Sequence, residues 1–129
     1  MAQCYRKEGN YPKALEYYNK VEQAQPDSLN LALQIGQCLM ALERYDEALA
    51  YFFKVEYLDK KPQNARRAIG WCSFITGNHQ QAKKYYDLLI SEPKPIMEDW
   101  MNAGHVYYIL NETEKSIEYY RKAQEPVSY

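Results

Sequence analysis

The sequence predicts an all-α fold made of stacked antiparallel helix pairs. Three observations carry that expectation. A period of 34 residues runs the length of the chain, apolar residues recur between its columns at steps of three and four, and no run alternates with period two.

The period is visible without any insertion. Tyr17, Tyr51, Tyr85 and Tyr119 form one column, and Tyr18, Phe52, Tyr86 and Tyr120 form the next. Ala14, Ala48, Ala82 and Ser116 keep the same step, as do Val21, Val55, Leu89 and Ala123. The five glycines fall into two further columns. Gly36, Gly70 and Gly104, with Ala2, mark a point where two helices cross closely. Gly9 and Gly77, with Glu43 and Asn111 between and after them, mark a left-handed turn after a helix.

The elements follow in order. Met1–Glu8 is the remnant of a first helix. Tyr11–Gln23 is the second, with Pro12 in a first turn that needs no N–H from it. Leu29–Leu42 places Leu29, Ala32, Ile35, Gly36 and Leu39 on one face. After a break at Glu43-Arg44, Tyr45–Leu58 does the same with Tyr45, Ala48, Leu49, Phe52 and Val55. Gln63–Thr76 and His79–Ile90 are separated by Gly77-Asn78, and Ile96–Leu110 and Glu112–Gln124 complete the series. Pro26, Pro62, Pro93 and Pro95 punctuate the ends of repeats. This gives seven full helices and one partial one in a single repeat domain, with units at about 1–28, 29–62, 63–96 and 97–129. The first unit lacks most of its first helix, and the residues after Glu125 are too few for a capping helix. The chain therefore reads as a fragment of a longer protein.

Composition narrows the function classes. The 129 residues hold 16 Lys plus Arg against 17 Asp plus Glu, a net charge of -1 that argues against a basic nucleic-acid binder. No apolar stretch is long enough for membrane insertion. Three cysteines make a poor disulfide framework and suit a reducing compartment. Cys4, Cys38 and Cys72 are again 34 apart, which suits small buried packing positions. His79 opens a helix and is expected in solvent. His105 shares a helix side only with Glu98, which makes neither a metal site nor a catalytic pair. No glycine-rich phosphate loop is present. The residues point to no enzyme, no metal and no cofactor.

The unit from Leu29 to Pro62, with Ile35, Gly36, Tyr45, Ala48 and Phe52, resembles the tetratricopeptide repeat family. Gln63 to Met97 resembles it through Ile69, Gly70, Gly77, Ala82 and Tyr86. The last unit does so through Trp100, Gly104, Tyr107 and Tyr120, with Ser116 where Ala is usual. The RNA-reading pentatricopeptide relatives step by 35, which this chain does not. The resemblance implies a right-handed superhelical solenoid whose first helices line a concave groove, and aromatic pairs used for packing.

The groove is then read from residues the repeat does not need. Trp71, Phe74 and Ile75 lie off the face formed by Ile69, Gly70 and Ser73, and Met101, His105 and Tyr108 repeat that surplus. Leu33, Gln37, Met40 and Arg67 occupy the equivalent columns, flanked by the amides of Asn30, Gln34, Asn64 and Asn102. Amides suit a peptide backbone, and aromatic and Met side chains suit its anchors. Trp71, Phe74 and Tyr108 together represent roughly 11–19 kcal/mol of gross burial, more than the ~8 kcal/mol of a micromolar complex.

The sequence therefore predicts a scaffold that binds a peptide or helix segment of a protein partner in its groove. The alternative is a structural module whose groove and ends pack on the parent chain or on another copy by self-association. A secretion-type chaperone is a further relative. The clamp by which some family members hold chaperone C-termini is not matched, because its places carry Gln3, Gln34, Asn64 and Ala68. Trp71 is expected to anchor the partner. The competing expectation has it closing over Phe74 and Tyr108.

Overall fold

A computed structural model of the chain describes residues 9–25 and 28–125. The partial helix expected over Met1–Glu8, with Ala2, Gln3 and Cys4, lies outside the described residues, as does Pro26. Among the described residues there are seven α-helices and no strand. They are α1 (Tyr11–Ala24), α2 (Leu29–Ala41), α3 (Tyr45–Leu58), α4 (Gln63–Ile75), α5 (His79–Ile90), α6 (Met97–Ile109) and α7 (Thr113–Gln124). Their ends fall within a residue or so of the expected ones.

Local chemistry sets the helix starts. Asn10, Ser28 and Asn78 cap α1, α2 and α5 by accepting from the N–H groups of Lys13, Leu31 and Gln81 at 3.4, 3.2 and 3.3 Å. At α6, Asp99 reaches back to the Ile96 N–H at 3.1 Å, the returning half of a capping box. Pro12 sits in the first turn of α1 as expected.

The turn column is left-handed at every one of its positions. Gly9, Glu43, Gly77 and Asn111 have φ of 77, 61, 88 and 63°. After α2, α4 and α6 the turn closes identically. The N–H groups of Arg44, Asn78 and Glu112 donate to the carbonyls of Leu39, Ser73 and Tyr107, five residues back, at 2.8, 2.8 and 2.9 Å. Where Glu43 stands instead of Gly, the backbone adopts the same conformation against its side chain's preference.

The chain forms two compact units, Met1–Ala68 and Ile69–Tyr129. In the N-terminal unit α2 packs on both α1 and α3. Ala32, Val55 and Ala65 form a core cluster, with Leu33 and Tyr51 against it. A Cβ at Gly36 would lie 2.6 Å from the buried Phe52 ring, so the crossing of α2 and α3 requires glycine. The Tyr51 hydroxyl donates to Glu22 at 3.1 Å, joining α3 to α1.

In the C-terminal unit α6 packs on α5 and α7. Ala82, Tyr86, Leu89, Ala103 and Val106 form its core. The glycine crossing recurs twice, Gly70 against Tyr86 at 3.0 Å and Gly104 against Tyr120 at 2.8 Å. Ser116, in the alanine column, is buried and donates to the Gly104 carbonyl at 3.0 Å, which satisfies the hydroxyl that Ala would lack. Cys38 and Cys72 are fully buried and in no disulfide, as their column implied. Burial pushes the Cys72 thiol up to about 11.

Candidate functional site

The face in question is the side of α2, α4 and α6 turned away from their packing columns. Ile69, Gly70, Cys72 and Ser73 on α4 are buried, so the core already has its share of that helix. The Ser73 hydroxyl is also spoken for. It donates to the Ile69 carbonyl at 2.7 Å and accepts from Gln81 Nε2 at 2.7 Å.

In the C-terminal unit the surplus residues form an aromatic step. Trp71 and Phe74, one turn apart, stack at 5.6 Å with planes 20° apart. Both are half-buried, and Phe74 leans on the core and meets the His79 ring edge-on at 5.7 Å. The indole is thus neither a core ring nor an open one. Ile75 and Met101 are exposed, Asn102 is half-buried, and Tyr108 leaves 62% of its surface in solvent. Met97, one turn before Met101, is exposed too and extends the strip. Its column runs Leu29, Gln63, Met97, a mixture that did not single it out in the sequence.

His105 is held by a contact that no spacing announces. Its Nδ1 lies 2.6 Å from the Tyr120 hydroxyl, and the two rings meet edge-on at 5.3 Å. Its partner is thus a phenol on α7 rather than the Glu98 of its own helix. His79 corrects the expectation of a solvated ring. It is half-buried beside Phe74, and its Nδ1 is enclosed without a hydrogen-bond partner. The short turn at Gly77-Asn78 folds the start of α5 back onto α4, which covers the ring.

In the N-terminal unit the same face is more polar. Asn30 and Asn64 are exposed, whereas Leu33, Gln34, Gln37, Met40 and Arg67 are half-buried. Arg67 donates to Asn64 Oδ1 at 3.1 Å, so its guanidinium is tethered to an amide. Gln34 Oε1 is enclosed without a hydrogen-bond partner. Leu33 lends part of itself to the core.

A second polar cluster was invisible to sequence reasoning. The Tyr107 hydroxyl donates to Asp87 at 2.6 Å, and the ammonium groups of Lys83 and Lys115 each lie 5.4 Å from its ring centre. Burial, then the Asp87 carboxylate, pushes the phenol far above its usual range. Lys83 also pairs with Glu112 at 3.6 Å. The cluster ties α5, α6 and α7 together. Among the described residues no three His, Cys, Asp or Glu side chains are grouped to hold a metal ion, and no helix is long and apolar enough to cross a membrane.

Comparison with known proteins agrees with the geometry. Tetratricopeptide repeat models match residues 30–96 and 100–125, and the model of anaphase-promoting complex, cyclosome, subunit 3 matches residues 1–55. No curated protein matches significantly. Among solved structures, MamA is similar at a TM-score of 0.85 and 24% identity, over 95% of this chain and 72% of that one. MamA from Desulfovibrio magneticus RS-1 gives 0.86 and 21%, over 95% and 69%. YrrB, described as a TPR protein with an unusual peptide-binding site, gives 0.83 and 24%, over 95% and 63%. At these identities the likeness is one of fold.

Proposed function

This chain belongs to the tetratricopeptide repeat family, and from that premise we propose that it is a protein-interaction scaffold that takes a peptide or helix of its partner on the inner face of its first helices. The observation that carries the reading is the stacked Trp71–Phe74 pair. Two large rings stand on a helix whose packing face is already complete, with Met101 and Tyr108 exposed on α6 of the same unit. Half-buried aromatics that are pre-packed against each other lose little freedom on binding, which favours them as anchors. Asn102 and His105 supply polar groups for a peptide backbone. The peptide-binding site described for YrrB supports the reading by analogy of fold. Binding, rather than catalysis, is the activity proposed.

The test begins with peptides selected from a random display library on the intact chain. Trp71→Ala is expected to weaken the selected peptides by roughly thirtyfold, about 2 kcal/mol. Because the indole is half-buried on Phe74, it is also expected to lower stability, by about 1–2 kcal/mol in urea denaturation. Peptides that bind Trp71→Ala as well as the parent would retire the reading. Self-association that Trp71→Ala abolishes, seen by sedimentation over a concentration series, would replace the peptide with a second copy.

A further inference from the structure

Gly104 lets the Tyr120 ring come up to the α6 backbone, where a Cβ would lie 2.8 Å from it. His105 is the next residue, so the crossing itself carries the phenol hydroxyl to the imidazole, 2.6 Å from Nδ1. That distance shows which group donates. It is shorter than the usual N–H···O range of about 2.7–3.2 Å and within that of an O–H donor. Tyr120 therefore donates and Nδ1 accepts. A neutral imidazole has one donor and one acceptor nitrogen, so its proton sits on Nε2. The sister crossings have no such bond to make. Phe52, against Gly36, lacks a hydroxyl, and the residue after Gly70 is Trp71, whose indole N–H only donates.

Among the described residues the Nε2 of His105 has no hydrogen-bond partner, and it is not enclosed. The edge-on contact of the two rings at 5.3 Å holds the imidazole in this orientation. His105 thus presents one oriented N–H donor on the inner face of α6, in the column that Trp71 occupies one repeat earlier. Charge narrows the acceptor. Trp71, Phe74, Ile75, Met101, Asn102 and Tyr108, on the same face of this unit, carry no charge. Glu98, two turns before His105 on the same helix side, is an exposed carboxylate that repels a second one. A neutral carbonyl oxygen is the acceptor that fits.

We propose that Tyr120 fixes His105 as its Nε2–H tautomer, and that this N–H takes a backbone carbonyl of the bound peptide. Tyr120 is then a positioning residue, and His105 sets the register in which the peptide lies. The inference rests on the peptide-binding reading above and adds to it a named donor and a named acceptor.

Two measurements keep it apart from that reading. Long-range nitrogen–proton correlation spectra of the intact chain, at mildly alkaline pH and without peptide, report the imidazole tautomers. The His105 signal, identified by its loss in His105→Gln, is expected to show Nε2–H alone. In Tyr120→Phe, which keeps a ring against Gly104, Nδ1–H is expected to appear. Nδ1–H in the unaltered chain, or a pattern that Tyr120→Phe leaves unchanged, would overturn the proposal.

The second measurement uses the tightest peptide selected by display on the intact chain. Each of its amides in turn is replaced by an ester, whose carbonyl is the weaker acceptor. One ester position is expected to bind the intact chain about three- to tenfold more weakly than the all-amide peptide, and to bind His105→Leu no more weakly than that peptide does. His105→Gln restores a donor and is the residue this column carries at 37, so it is expected to hold the all-amide peptide within about threefold of the intact chain. Helix content by circular dichroism is compared for every variant. A peptide weakened by Trp71→Ala but not by His105→Leu leaves the groove reading standing and sinks this proposal. So does affinity lost on turning the peptide's acidic side chains into amides rather than at an ester, which makes the acceptor a carboxylate. Display that yields no peptide sinks both.

Discussion

The crossing of α2 with α3 and that of α6 with α7 occupy the same place in two units, and they are built differently. In the N-terminal unit Gly36 lies under Phe52, a ring with no exposed surface and no polar atom, beside Ala48 in the alanine column. In the C-terminal unit Gly104 lies under Tyr120, which is half-buried and reaches His105, beside Ser116, whose hydroxyl bonds to the Gly104 carbonyl. What is common to both is the close approach of one backbone to an aromatic face. What differs is whether the surrounding atoms are apolar or polar with a partner provided. The crossing is therefore a constraint on space before it is one on polarity.

The sharpest way to break this comparison is to remove the rings. Phe52→Ala is expected to cost about 3–5 kcal/mol, as for a fully buried Phe, and Tyr120→Ala less than half of that because its ring is already part-solvated. Equal losses in urea denaturation would mean that the two crossings do the same work. Adding a methyl tests the same space from the other side. Gly36→Ala is expected to cost about 1–3 kcal/mol, since the Phe52 ring it would strike is enclosed. Gly104→Ala should cost less than about 1 kcal/mol, because the half-exposed Tyr120 has room to yield. A thermal shift of the same size for both would contradict the difference.

Polarity is tested by exchange. Ser116→Ala is expected to cost about 1 kcal/mol, the net worth of one buried hydrogen bond. The reverse change, Ala48→Ser, places a hydroxyl at the same step from the Gly36 carbonyl and is expected to be tolerated within about 1 kcal/mol. A loss several times larger would show that the N-terminal crossing rejects polar atoms as such. The smallest effect belongs to the turn column. Glu43→Gly is expected to stabilise by about 0.5–1 kcal/mol by relieving a left-handed non-glycine backbone, and Asn111→Gly by less, since Asn tolerates that conformation.

These sites also show what could be read in advance. Gly36, Gly70 and Gly104 were legible as close crossings, and Glu43 and Asn111 as left-handed turns, because a fixed repeat step transfers meaning from one unit to the next. The Trp71–Phe74 stack was legible in part, since residues three apart on a helix meet. His105 on Tyr120, Tyr107 on Asp87 and Tyr51 on Glu22 were not. Each joins two helices through the length and rotamer of a side chain, and sequence spacing fixes neither. His79 was misread for a related reason, because the turn before α5 decides how far its first residue folds back.

Cys38 and Cys72 give a way to watch each unit open and close. Each thiol is sealed in a different unit, and burial holds the Cys72 sulfur in its unreactive thiol form at neutral pH. An alkylating reagent therefore modifies either one only when the surrounding helices part, so the modification rate counts those openings. With Cys4 replaced and one of the pair retained at a time, the chain carries its own stopwatch for each half. Whether the two halves breathe together or separately becomes a matter of comparing two half-lives in one reagent.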